Sequence, residues 1–181
     1  MERRAWLVRA VNVGGTAKLP MVQWRALAEE LGATDVATYI ASGNLLCTPP
    51  GDPADFARAL EREVEERFGF FREVVSRTRA ELEAALREFP FGEHDPKFAY
   101  VTFLAGAPAA DAVAAARDIA TGPDTWQLRG EHLYIRYADG AGTANPGMTK
   151  VGRLLGVPGT ARNLLTVRKL VDLLGAPAAH S

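Results

Sequence analysis

Hydrophobic and polar positions alternate loosely over residues 6–13 and stop at Gly14-Gly15, the pattern of a strand running into a loop. Pro20 suits a first helical turn, and Met21, Trp24, Leu27 and Leu31 then recur at helical spacing until Gly32. Residues 36–40 and 45–48 are strand-like runs separated by Ser42-Gly43-Asn44, which predicts a hairpin. Asp52 and Pro53 open a second helix in which Phe56, Leu60, Val64 and Phe68 recur every fourth residue. Residues 70–76 form a further strand. The order strand, helix, two strands, helix, strand is the ferredoxin-like βαββαβ pattern.

Thr78 and Glu81 match a capping box, and Leu82, Leu86 and Phe89 suit the third helix it would start. Residues 91–97, with Gly, His, Asp and Pro, read as a linker. A strand over 98–104, an Ala-rich helix near 109–120 and strands near 126–129 and 132–138 follow, the last two joined by a turn at Gly130-Glu131. This repeats the strand-helix-strand-strand order, without a repeat at the level of residues. Helices near 148–155 and 161–174 close the chain, and the Ala-Pro-Ala-Ala-His-Ser tail is expected to fray. The fold predicted is α+β: a ferredoxin-like first part over 1–90, a linker over 91–97, and a second, related α+β part over 98–181 with two C-terminal helices.

A chain of 181 residues, 48% of them hydrophobic, can bury a substantial core. Its net charge of −1 argues against nucleic acid or a membrane surface as a partner. The N-terminus carries no long apolar run, so a cytoplasmic protein is expected. Cys47 is the lone cysteine, which excludes an intrachain disulfide and a multi-cysteine zinc site, and it is expected to pack as a small hydrophobe. His94, His132 and His180 lack ligand spacing, so no metal site is expected.

Gly14-Gly15-Thr16-Ala17-Lys18 resembles a phosphate loop only in composition, because it fails both the Walker and the dinucleotide-binding patterns. It does offer backbone amides, a lysine and a helix N-terminus at Pro20, parts that bind anions; a strand-to-helix turn needing glycine dihedrals would also explain it. Arg9 and Asn12, three residues apart, fall on opposite faces of a regular strand. Ser42 and Asn44 suit a turn, and Tyr39 suits packing or stacking. Residues 141–181 hold Lys150, Arg153, Arg162, Arg168 and Lys169 against Asp172, a local charge of +4. Thr160 reads as an N-cap, which would leave Arg162 and Asn163 in an exposed first helical turn. No nucleophile and base can be paired, so no catalytic residue is assigned.

Four ordered segments carry a resemblance. Arg9-Ala-Val-Asn12-Val-Gly14-Gly15, Lys18-Leu-Pro20-Met21, Thr38-Tyr39-Ile-Ala-Ser42-Gly43-Asn44 and Thr160-Ala-Arg162-Asn163-Leu-Leu-Thr166-Val-Arg-Lys169-Leu are similar to the motifs RGINVGG, K-[IV]-P-M, TYI-x-SGN and TTRNWNTV-x-KL. The chain thus resembles the uncharacterised bacterial family "domain of unknown function sixteen-ninety-seven". The resemblance implies an α+β protein with ferredoxin-like parts and implies no reaction or cofactor. Here Ala10 stands for the family's usual Gly, and Leu164-Leu165 for its Trp-Asn. The site residues it marks are Arg9, Asn12, Gly14, Gly15, Tyr39, Ser42, Asn44, Arg162, Asn163 and Thr166, with Lys150 added on a weaker Met148-Thr149-Lys150 match. The expectation is a small phosphate- or carboxylate-bearing ligand bound between the two parts, with Arg9, Asn12 and the Gly14-Gly15 loop meeting Arg162-Asn163. The alternative is a non-enzymatic protein-interaction or self-association module. Neither a cofactor nor an oligomeric state follows from the sequence.

Overall fold

Strand β1 (Arg4–Val8) buries its last four residues and ends where Arg9 turns outward and Ala10 adopts φ 45°, outside the extended region. The expected strand over 6–13 therefore stops five residues early. The structure, a computed structural model, describes residues 1–176; of the tail expected to fray, residues 177–181 lie outside them.

Helix α1 (Met21–Glu30), strand β2 (Thr34–Tyr39), strand β3 (Asn44–Thr48), helix α2 (Pro53–Phe68) and strand β4 (Val74–Thr78) complete the first sheet, whose antiparallel order is β2-β3-β1-β4. This is the ferredoxin-like arrangement, in which β3 lies between the two strands joined through α1. Trp6, Val8, Leu45 and Cys47 from the sheet pack with Trp24 and Leu27 of α1 and with Phe56, Leu60 and Val64 of α2. Phe56 stands edge-on to Trp6, with ring centroids 4.8 Å apart. Helix α2 forms as its sequence predicts: the Asp52 carboxylate accepts from the Ala54 and Asp55 amides, and Gly69 closes it in the left-handed region.

Cys47 is fully buried in this core, and desolvation pushes its thiol up to about 12. The thiolate is the reactive form, so the native protein at pH 8 is expected to resist aromatic disulfide reagents and to react promptly only once unfolded. Fast native labelling would show that the β3 face opens.

Helix α3 (Arg79–Arg87) starts at a reciprocal capping box: the Glu81 amide donates to Thr78 Oγ1 at 3.1 Å, and the Thr78 amide to Glu81 Oε2 at 2.6 Å. After an irregular stretch, strand β5 (Ala99–Leu104), helix α4 (Ala110–Arg117), strand β6 (Thr125–Arg129), strand β7 (His132–Arg136), helix α5 (Pro146–Leu155) and strand β8 (Gly159–Asn163) build a second antiparallel sheet in the order β6-β7-β5-β8. Counted within its own half, this is the same order as the first. The predicted turn at Gly130-Glu131 joins β6 to β7. Ala116, Met148, Val151 and Leu155 from α4 and α5 cover Leu104, Leu133 and Ile135. Asp124, buried, accepts from the Ala138 and Asn145 amides and so fixes the segment between β7 and α5.

Helix α6 (Leu164–Gly175) closes the described chain. The expectation of one helix over 161–174, capped by Thr160, is corrected: residues 159–163 are a strand, and the Asn163 carboxamide accepts from the Thr166 amide at the start of the helix. The chain divides into two compact units, Met1–Ala84 with Arg168 and the helical residues after it, and Ala85–Val167. The division falls within α3 and α6. Arg3 ties the end of α6 to the first unit by donating to the Leu173 carbonyl at 3.0 Å. No helix among the described residues is long and apolar enough to cross a membrane.

Candidate functional site

Between β1 and α1 the chain takes twelve residues, 9–20, where a connection of about 2–6 is usual. Five of them occupy positive φ: Ala10 at 45°, Asn12 at 56°, Gly14 at 64°, Gly15 at 77° and Ala17 at 50°. Gly14-Gly15 form the tip of a miniature hairpin closed by a bridge between Val13 and Thr16, and two consecutive positive φ angles are what a type I′ turn demands. A Cβ at either glycine would meet nothing within 4 Å, so dihedral preference alone requires glycine there.

Asn12 holds the loop. Its Nδ2 donates to the Leu19 carbonyl at 2.9 Å and the Ala41 carbonyl at 2.7 Å, while its Oδ1 accepts from the Leu19 amide at 2.9 Å. Both amide hydrogens are thus committed to backbone, and Asn12 positions the loop instead of facing a ligand with free donors. Arg9 pairs with Glu73 at 3.3 Å, exposed to solvent. Ala10 carries a Cβ in a conformation that disfavours one. Ala10→Gly is expected to stabilise the chain by about 0.5–1 kcal/mol, read from the urea midpoint. Destabilisation would mean that the Ala10 methyl contributes packing that outweighs its strain.

The turn from β2 to β3 lies against this loop. Asn44, fully buried, donates to the Tyr39 carbonyl at 2.9 Å and to Ser42 Oγ at 3.0 Å, and the Val8 amide donates to the Gly43 carbonyl. A Cβ on Gly43 would stand 2.1 Å from Val8 Cγ1, so this glycine answers to both its φ of 79° and its crowding. Tyr39 is half-buried at the end of β2. Ile40 has a φ of 50°, an outlier for a β-branched residue, and is 49% exposed.

Asn12, Gly15, Thr16, Lys18, Leu19, Pro20, Met21 and Ala41 line a cleft of about 460 Å³. Leu19, Pro20, Met21 and Ala41 supply apolar walls, and Lys18 supplies the cation. No side chain caps the N-terminus of α1 at Pro20, and its first turn holds no acidic residue. Its first amides therefore remain for solvent or a ligand.

The other expected site residues belong to the second unit. Lys150 is exposed on α5. Arg162 is only 6% exposed, on β8, where its Nη1 donates to Thr160 Oγ1 at 2.6 Å and to the Ala161 carbonyl at 2.9 Å. Burial pulls its guanidinium down to about 10, so it still carries its charge at neutral pH. The exposed first-turn position expected for Arg162 is thereby corrected. Asn163 caps α6 and Thr166 is buried. Sequence reasoning counted the lysine at 18 among the anion-binding parts of the loop but not among the site residues, and it passed over Leu19 and Ala41 as lining groups. Among the described residues, no three His, Cys, Asp or Glu side chains are grouped as metal ligands would be.

Two ferredoxin-like sheets with a long β1–α1 loop define the class: an α+β protein of duplicated topology. The chain belongs to the family described as "Protein of unknown function (DUF1697)", whose model matches residues 1–134. The matched region includes the segments around Asn12, Lys18 and Asn44, and Thr160 to Leu170 follows it. The chain is similar in structure to a conserved bacterial protein from Streptococcus pneumoniae, with a TM-score of 0.74 and 23% identity over 95% of this chain and 98% of that one. That likeness shows the shared fold. A comparison with curated proteins finds no match.

Proposed function

We propose that the first unit binds a small anionic ligand, phosphate- or carboxylate-bearing with an apolar body, in the cleft beside the β1–α1 loop. One observation carries this reading: Lys18 and the uncapped first turn of α1 border the same cleft, where Leu19, Pro20, Met21 and Ala41 supply apolar walls beside Asn12, Gly15 and Thr16. An ammonium group and a helix N-terminus favour the same charge. The aliphatic wall favours a ligand that brings hydrocarbon as well as charge. The lining holds no carboxylate, histidine or cysteine, which supports binding over catalysis, and no catalytic step is assigned. The proposal rests on the first unit alone.

Thermal-shift screening with inorganic phosphate, pyrophosphate and short-chain acyl carboxylates tests it. A ligand at ten times its Kd stabilises by about 1.4 kcal/mol, a rise of about 2–5 °C for a chain of this size. The rise is expected to vanish in Lys18→Glu, which should melt near the parent because Lys18 is exposed. A rise unchanged by Lys18→Glu would place the anion elsewhere, and no rise with any of these anions would refute the reading.

A further inference from the structure

We propose that the surface around this cleft also docks an acidic protein segment bearing apolar side chains, a partner larger than the ligand of the cleft itself. Three exposed aliphatic residues carry the argument: Val13 at 64%, Val22 at 70% and Ile40 at 49% exposure. Each is the chain neighbour of a cleft-lining residue, Val13 of Asn12, Val22 of Met21 and Ile40 of Ala41. Exposed valines scattered singly need no explanation; three exposed aliphatic residues, each one position along the chain from the lining of one cleft, do.

Ile40 sharpens the point. Its left-handed backbone is a conformation that Asn or Gly would hold with far less strain, and half of its side chain faces solvent. An isoleucine there adds strain and gains only part of the packing that burial would give. Strain of this kind gathers where a chain presents a group to something else.

The charges identify the partner. Over residues 5–28 the chain holds Arg9, Lys18 and Arg25 and no acidic residue, and residues 36–51 hold no charge at all. This cationic stretch belongs to a chain whose net charge is −1. Arg9 is paired with Glu73, whereas Lys18 and Arg25 are exposed and have no acidic partner among the described residues. Val22 and Arg25 lie three residues apart, on one face of α1. Apolar anchors with cations beside them complement a segment that mixes Asp or Glu with aliphatic or aromatic side chains. The exposed anchors are aliphatic, so they offer no ring for a nucleobase to stack on, and protein is favoured over nucleic acid. The inference rests on the anion-site reading only through Lys18, which both use.

Selection of short random peptides displayed against the full chain tests it without presuming a sequence. Enriched peptides are expected to combine Asp or Glu with Leu, Ile, Val or Phe. By fluorescence anisotropy the best of them should lose about tenfold or more in affinity for Ile40→Asn and for Val13→Ser, the effect of removing one buried aliphatic anchor. Ile40→Asn relieves the left-handed strain, so it should melt no lower than the parent, which separates lost docking from lost folding. Lys18→Glu should weaken the same peptide. Enrichment of basic or uncharged peptides, no enrichment, or full affinity in Ile40→Asn would overturn the proposal. Stabilisation by phosphate or acyl carboxylates should persist in Ile40→Asn. If those anions fail while a peptide dependent on Ile40 and Lys18 still binds, the small-ligand reading falls and the docking surface stands.

Discussion

Gly43→Ala is expected to destabilise the protein by about 2–5 kcal/mol, combining left-handed strain with overpacking. The added Cβ would lie 2.1 Å from Val8 Cγ1 and 2.7 Å from Val11 Cγ2, closer than any real Cβ contact, at a φ of 79°. Both neighbours belong to the first core, so the turn has to move outward. It would take with it the Ala41 carbonyl that Asn12 grips at 2.7 Å, and so the cleft wall. Chemical denaturation should show the lowered midpoint together with weakened anion stabilisation. A Gly43→Ala protein with the parent's midpoint would show that the turn does not press on β1.

Arg162→Ala is expected to lower stability by about 2–4 kcal/mol, the range for a large buried side chain removed with its hydrogen bonds. The guanidinium donates to Thr160 Oγ1 and the Ala161 carbonyl, and its removal strips partners from β8 next to β5. Arg162→Lys should recover only part of the loss, because an ammonium lacks the planar fork that reaches two acceptors. A near-parental urea midpoint for Arg162→Ala would mean that the side chain is not held as described. Buried arginine on a strand is a different object from the solvent-facing helix residue that the sequence pattern suggests, and the two differ in size of consequence: the former anchors the fold, the latter could be removed with little effect.

The elements with strong local signatures are legible in the sequence. Asp52-Pro53 with Phe56, Leu60 and Val64 marks α2, and Thr78 with Glu81 marks α3, because capping and periodicity act within a few residues. The ferredoxin-like order of the first half was legible for the same reason. Strand β8 was not. Its pattern is Gly-Thr-Ala-Arg-Asn, and a lone arginine pointing inward looks polar to any pattern that equates burial with apolarity. Register with β5 is a long-range property, and it overrode the capping signal of Thr160.

The candidate site was legible in part. Asn12 and Asn44, expected as ligand groups, are loop-holding groups whose donors meet backbone carbonyls and a neighbouring hydroxyl. Asparagine in a loop carries no mark that separates a ligand group from one that ties the backbone, because its hydrogen-bonding partners are far along the chain. Glycine at 14 and 15 pointed to positive φ, but the alanine at 10 and isoleucine at 40 concealed the same conformation. The strain of this region became visible only in the dihedral angles.

Backbone amide mapping by nuclear magnetic resonance tests the central claim most directly. In a titration of the isotopically labelled chain with inorganic phosphate or an acyl carboxylate, the largest shifts are expected at Gly15, Thr16, Lys18 and Met21, and at Val22 and Gln23 in the first turn of α1. They should saturate together and disappear in Lys18→Glu. Shifts absent from this set, or centred on other residues of the chain, would contradict the assignment of the β1–α1 cleft as the anion site.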